Sequence, residues 1–266
     1  MLRGAGKRPN VLFILTDDQR ADTIGALGNR TIRTPNLDAL AGRSMVFENA
    51  YCIGGNSPAV CLPSRNMILS GRAFTRYQAQ ASGEDPNFPD SMRAAGYETY
   101  HEGKRGNSAV QIQAKFEHNR YLDEHAARAS GSPGRVITDN ALEFLRQRRT
   151  ERPFFLYLGF ETPHDPRVPR AEDAAYYAKR PMPLPGNFLP VHPFDNGEMT
   201  VRDELLAPWP RTEEEIRRHL REYYAVITGI DAQVGRLLAA LRERPEYENT
   251  VVIYSSDQGL AVGSHG

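Results

Sequence analysis

A lone thiol stands shortly ahead of a proline, a hydroxyl and a guanidinium in the stretch Ser57-Pro58-Ala59-Val60-Cys61-Leu62-Pro63-Ser64-Arg65-Asn66-Met67-Ile68-Leu69-Ser70-Gly71-Arg72. Pro63 has no N–H to donate, so it suits the first turn of a helix that Ser64 to Leu69 can continue. Cys61 then falls at or just before a helix N-terminus. Orphan amides and the positive end of the helix dipole favour an anion there, and Arg65, about one turn further on, adds a fixed positive charge. The chemistry implied is a seat for an oxyanion beside a sulfur.

Four more polar groups follow apolar runs that read as strands: Asp17-Asp18, Lys104, His164 and Asp257-Gln258. In an open parallel sheet, strand ends of this kind converge on one edge, where ligands bind. Three carboxylates and an amide oxygen are hard donors, suited to calcium or magnesium rather than zinc. Separately, Asp17-Asp18 reads as a solvated turn, His164 as a structural loop histidine, Lys104 as a surface lysine and Cys61 as a buried small residue. Only together do they describe a site.

Cys61, Pro63, Ser64 and Arg65, followed by Leu69, Gly71 and Arg72, resemble the signature of the type I sulfatases, in which the cysteine is oxidised to formylglycine. The resemblance implies an alkaline-phosphatase-like fold and a maturing enzyme, formylglycine-generating or anaerobic. It implies a metal shell of Asp17, Asp18, Asp257, Gln258 and the nucleophile derived from Cys61. His164 matches the histidine that contacts the sulfate ester, Lys104 the lysine that bridges sulfate and nucleophile, and Arg65 the residue that holds the formylglycine hydrate. In that chemistry one geminal hydroxyl of the hydrated aldehyde attacks sulfur in line and expels the alcohol, and the other drives release of sulfate. The implied substrate is a sulfated carbohydrate, with choline sulfate or an aryl sulfate behind it.

The match departs from the family at two places. Arg105 and Gly106 follow Lys104 where the family usually has an aromatic residue and a histidine. No residue is assigned to that acid–base role, and His101 does not inherit it. The resemblance also covers nearly all of this chain but only about the first half of a typical sulfatase, so a catalytic domain over residues 1–266 without its C-terminal subdomain is expected. Two other readings compete. One is a phosphate or phosphonate ester hydrolase of the same superfamily, and the other a catalytically silent metal-binding remnant.

These residues need elements to position them. Val11 to Leu15 is a continuous apolar run, as a strand buried on both faces should be. Thr34-Pro35 opens a capped helix, and Met45-Val46-Phe47 reads as a short strand. Phe88 to Ala95 reads as a helix closed by Gly96, Tyr97 to Tyr100 as a strand, and Val136 to Leu145 as helical spacing. Phe154 to Phe160 is a strand, and the proline-dense 181–210 stretch a long excursion shaping the substrate mouth. Thr212 with Glu215 makes a capping box for a helix to about Arg244, and Thr250 to Tyr254 is a last buried strand. The alternation predicts an α/β fold, a mostly parallel central sheet with helices on both faces.

The 266 residues carry 33 Lys plus Arg and 33 Asp plus Glu, so the net charge is zero and gives no electrostatic case for nucleic acid or an anionic membrane. Cys52 and Cys61 make no disulfide framework, and a bridge between them would consume the thiol the signature needs. The run after Asn10 is too short for a membrane span and leads into acidic residues. The chain therefore reads as lacking an export signal and as cytoplasmic, although sulfatases are often periplasmic, secreted or lysosomal.

Overall fold

The computed structural model describes residues 7–53, 60–76, 86–195, 197 and 199–266. Ser57, Pro58 and Ala59 of the signature stretch lie outside them. In chain order the regular elements are β1 (Asn10–Asp17), α1 (Pro35–Ala41), α2 (Cys61–Ser70), α3 (Phe88–Ala94), β2 (Glu98–Gly103), α4 (Val110–Gln113) and β3 (His118–Tyr121). There follow α5 (Glu124–Ala129), α6 (Arg135–Gln147), β4 (Phe154–Pro163), α7 (Ala171–Ala178), α8 (Glu213–Arg242) and β5 (Thr250–Ser256).

Among the described residues the strands form one sheet in the order β3-β2-β4-β1-β5, and every pairing is parallel. All strand C-termini therefore open onto the same edge. Because side chains alternate across a strand, Leu12 and Ile14 join a core with Val226, Ile230 and Val234 of α8 and Ile137 of α6 on one face. Phe13 and Leu15 pack on the other face with Leu69 of α2 and Ile112 of α4. Helices thus cover both faces.

Some expected elements form as read and others take a different form. Helix α2 starts at Cys61 itself, with Val60 as its N-cap, and Pro63 falls in the first turn, where its missing N–H costs nothing. Met45 to Phe47 is not a strand. Met45 is 81% and Phe47 74% exposed, and the segment has no strand partner among the described residues, so local β propensity is not realised. Strand β5 is an edge strand with Val251 and Ile253 exposed, rather than a buried one.

Thr34 occupies the N-cap of α1 without capping it. Its Oγ1 accepts from the Gly25 N–H and donates to Asp38 instead. The orphan amides of Asn36 and Leu37 are met by Asp231 of α8, at 3.0 and 2.8 Å. By contrast, Thr212 caps α8 as the sequence indicates, its side chain accepting from the Glu215 N–H at 3.2 Å. Helix α8 is long and apolar enough to cross a membrane, yet 67% of its apolar window is buried inside the fold, as in a core helix. Among its described residues the 181–210 excursion carries one short 3-10 turn, Glu204–Leu206.

Candidate active site

β1 lies between β4 and β5, and its register sets Thr16 opposite Ser256. The residues that follow the first and last strands therefore meet. Asp18 turns the chain at φ +70°, a left-handed conformation that aspartate tolerates better than most residues. Its N–H donates to Asp257 Oδ1 at 3.1 Å, and Tyr223 of α8 donates its hydroxyl to the Asp18 carbonyl. The Asp257 N–H in turn reaches the Thr16 carbonyl at 3.2 Å.

The first turn of α2 docks against this junction. Ser64 Oγ donates to the Asp257 carbonyl at 2.8 Å and Arg65 Nε to Asp257 Oδ2 at 2.9 Å. These contacts bring the Cys61 Sγ within 3.3 Å of Asp17 Oδ1 and 3.7 Å of Asp18 Oδ1. One ligand atom from each of Asp17, Asp18, Cys61 and Asp257 lies within 4.8 Å of the others, and all four residues are buried. Gln258 donates its Nε2 to Asp18 Oδ1 at 2.7 Å and approaches the sulfur at 3.5 Å.

From β2, Lys104 donates its Nζ to Asp17 Oδ2 at 2.6 Å. From the end of β4, His164 donates Nδ1 to the Asp165 carbonyl at 2.7 Å, which leaves Nε2 3.9 Å from Asp18 Oδ2. The fold thus gathers all eight residues singled out in the sequence. His101, denied a part there, points elsewhere: it is fully buried on β2, bonded through Nδ1 to Asn119 and stacked on Tyr157.

Electrostatics divide the carboxylates. Burial by itself would raise Asp17, but Arg65 and Lys104 hold its carboxyl well below the usual range. Burial and the Asp17 charge push Asp18 up. Asp257 is pushed up to about 7 by burial, which Arg65 opposes and the charges of Asp17 and Asp18 reinforce. The Cys61 thiol is driven far above its ordinary value by burial and by Asp17 and Asp257, so as it stands it is a poor nucleophile. A divalent cation suits this set, because Asp18 and Asp257 are carboxylates whose charge the present cations only partly offset, and every carboxylate donor is hard oxygen.

Two features escape sequence reading. Arg128 of α5 brings its Nη2 to 3.6 Å from Asp17 Oδ2, from a helix segment whose composition signals nothing. Arg202, within the proline-dense excursion, pairs with Asp165 beside His164 and ties that excursion to the edge of the site. Neither residue lies near a motif in the chain.

Residues 9–266 match the family model described as Sulfatase. The chain is 25% identical over 337 residues to an N-acetylglucosamine-6-O-sulfatase of Bacteroides thetaiotaomicron, covering 98% of this chain and 60% of that one. It is 27% identical to the iduronate 2-sulfatase of Homo sapiens (97% and 56% covered) and 27% identical to an arylsulfatase of Clostridium perfringens (97% and 64%). The chain therefore spans little more than half to under two-thirds of the length of these relatives. A solved structure described as a complex with its substrate, D-glucosamine-2-N,6-O-disulfate, superposes with a TM-score of 0.77 at 24% identity, covering 98% of this chain and 67% of that one. A phosphonate monoester hydrolase of Agrobacterium radiobacter superposes with a TM-score of 0.72 at 18% identity (97% and 64%), a likeness of fold alone. With a parallel sheet of the same architecture and a family match across nearly its whole length, the chain belongs to the sulfatase family.

Proposed function

We propose that this chain hydrolyses sulfuric esters, with a sulfated carbohydrate as substrate, after Cys61 is converted to formylglycine. The observation that carries the reading is the cluster of Asp17, Asp18, Cys61 and Asp257 within 4.8 Å, flanked by Arg65 and Lys104. The carbohydrate class is supported by relatives whose names specify sulfated sugars.

Asp17, Asp18, Asp257 and the Gln258 amide would hold calcium or magnesium, the amide offering an oxygen as well as the nitrogen it now turns inward. Such a cation supplies charge stabilisation at the developing oxyanion, and formylglycine, when formed, supplies the attacking hydroxyl. The chain's own residues do the rest. Arg65, anchored on Asp257, fixes the start of α2 and so the position of side chain 61. Lys104 and the Nε2 of His164 face the place where negative charge builds on the sulfate oxygens. The buried first turn of α2 keeps water from the back of the nucleophile.

Hydrolysis of nitrophenyl sulfate against nitrophenyl phosphate, by protein co-expressed with a maturing enzyme, tests this. Sulfate turnover that disappears in Cys61→Ala is expected. A preference for phosphate would favour the phosphate or phosphonate ester reading of the same site. Calcium-dependent stabilisation without turnover, in protein carrying confirmed formylglycine, would instead assign the chain to a silent metal-binding module.

A further inference from the structure

One carboxylate requires one counter-charge, and Asp17 faces three. Lys104 Nζ lies 2.6 Å from its Oδ2, Arg128 Nη2 3.6 Å from the same oxygen, and Arg65 Nη2 3.5 Å from Oδ1. Asp18, by contrast, has an amide and an imidazole 3.9 Å away. Arg65 is also committed to Asp257, which leaves Lys104 and Arg128 side by side on Oδ2 of Asp17, with Glu124 as the second carboxylate of Arg128. An ammonium with three N–H donors and a guanidinium with five, gathered on one carboxylate oxygen, have donors to offer a second anion as well.

Arg128 is built to present its head group. The side chain is 7% exposed, its Nε donates to the Glu161 carbonyl at 3.0 Å, and its Nη2 lies 3.5 Å from Glu124. The Glu124 Oε1 accepts the N–H groups of Arg105 and Gly106 at 2.9 and 2.8 Å. A Cβ on residue 106 would meet that oxygen at 3.4 Å, at ordinary contact distance. One carboxylate therefore steadies both the loop that follows Lys104 and the guanidinium beside it.

We infer that Arg128 is a substrate-contacting residue: with Lys104 it clasps the sulfate of the ester, resting on the sulfatase reading above. A planar guanidinium offers paired N–H donors to two oxygens of a tetrahedral anion, which an ammonium does not. The charge at this point comes from α5, a different element from the loop carrying Gly106.

Titration of inorganic sulfate into the full chain in calcium-containing buffer tests the clasp without requiring turnover. Arg128→Ala should weaken sulfate binding about tenfold, as loss of a charge-assisted hydrogen bond does. Arg128→Lys should fall between the two. Millimolar methylguanidinium should restore binding to Arg128→Ala and not to Lys104→Ala. Thermal unfolding checks each variant's fold, and if Arg128→Ala does not fold, a several-fold loss in Arg128→Lys with an unchanged midpoint carries the test. Unchanged affinity in the variants, or a loss that methylguanidinium leaves unrepaired, would overturn the proposal and assign Arg128 to holding the loop through Glu124. A wild-type chain that binds no sulfate would overturn the sulfatase reading itself.

Discussion

Lys104 lies 2.6 Å from Asp17 Oδ2 and is almost wholly buried. On the proposed sulfatase reading it meets charge that grows in the transition state, so Lys104→Ala should lower kcat/KM for a sulfate ester by roughly two orders of magnitude, about 3 kcal/mol, measured on fully matured protein. His101 shows the opposite character. Burial drives its imidazole down to about 4 from an ordinary 6.5, only partly opposed by Asn119, and its Nε2 finds no partner among the described residues. The folded state thus holds it neutral while the unfolded chain takes up the proton first. Its contribution to stability is complete above pH 6.5 and is lost as pH falls toward 4, on the order of 3 kcal/mol in all. Urea unfolding of wild type and His101→Gln across that range should show a steeper loss for wild type; parallel curves would refute this account of His101.

At the scale of elements, α2 and α8 carry the site between them. Helix α2 brings Cys61 and Arg65, and α8 supplies Tyr223 behind Asp18 and Asp231 under the first turn of α1. Removing the α8 cap with Thr212→Ala should cost about 1 kcal/mol of unfolding free energy by denaturant titration, since the Glu215 N–H loses its acceptor. β1, β2, β4, β5 and this cap were readable because they rest on local signals such as apolar runs, a capping box and glycine at φ +86° closing α3, whereas β3, a short and largely exposed polar strand, gave no such signal. The helix-start cysteine was readable too, within two residues. What local pattern could not reveal is pairing across the chain. Asp231 replaces Thr34 as the cap of α1 from 195 residues away, Arg128 reaches Asp17 from a plain helical segment, and the Met45–Phe47 triplet has strand-like composition but no strand to join. The site residues themselves were legible because each follows a strand or opens a helix, and a parallel sheet brings such positions to one edge.

For the molecule as a whole, a cation held by the three buried carboxylates at that edge, as proposed, would couple its binding to folding. Calcium at a hundredfold excess over its dissociation constant should stabilise the chain by about 3 kcal/mol, read as a raised thermal midpoint that a chelator reverses. Asp257→Asn should remove most of that shift, since Asp257 lies in the cluster and bonds both Arg65 and the Asp18 amide. With a net charge of zero the chain has no overall attraction for anions, so anion binding should depend on Arg65, Lys104 and Arg128 rather than on total charge. The proposed function depends throughout on the chemical state of one side chain at the start of α2. The mass of the tryptic peptide containing residue 61, taken from protein co-expressed with a maturing enzyme, reads that state directly. Replacement of the thiol by an aldehyde, in the same preparation that hydrolyses sulfate esters, is the predicted result; an unmodified cysteine in a preparation that still hydrolyses them would contradict it.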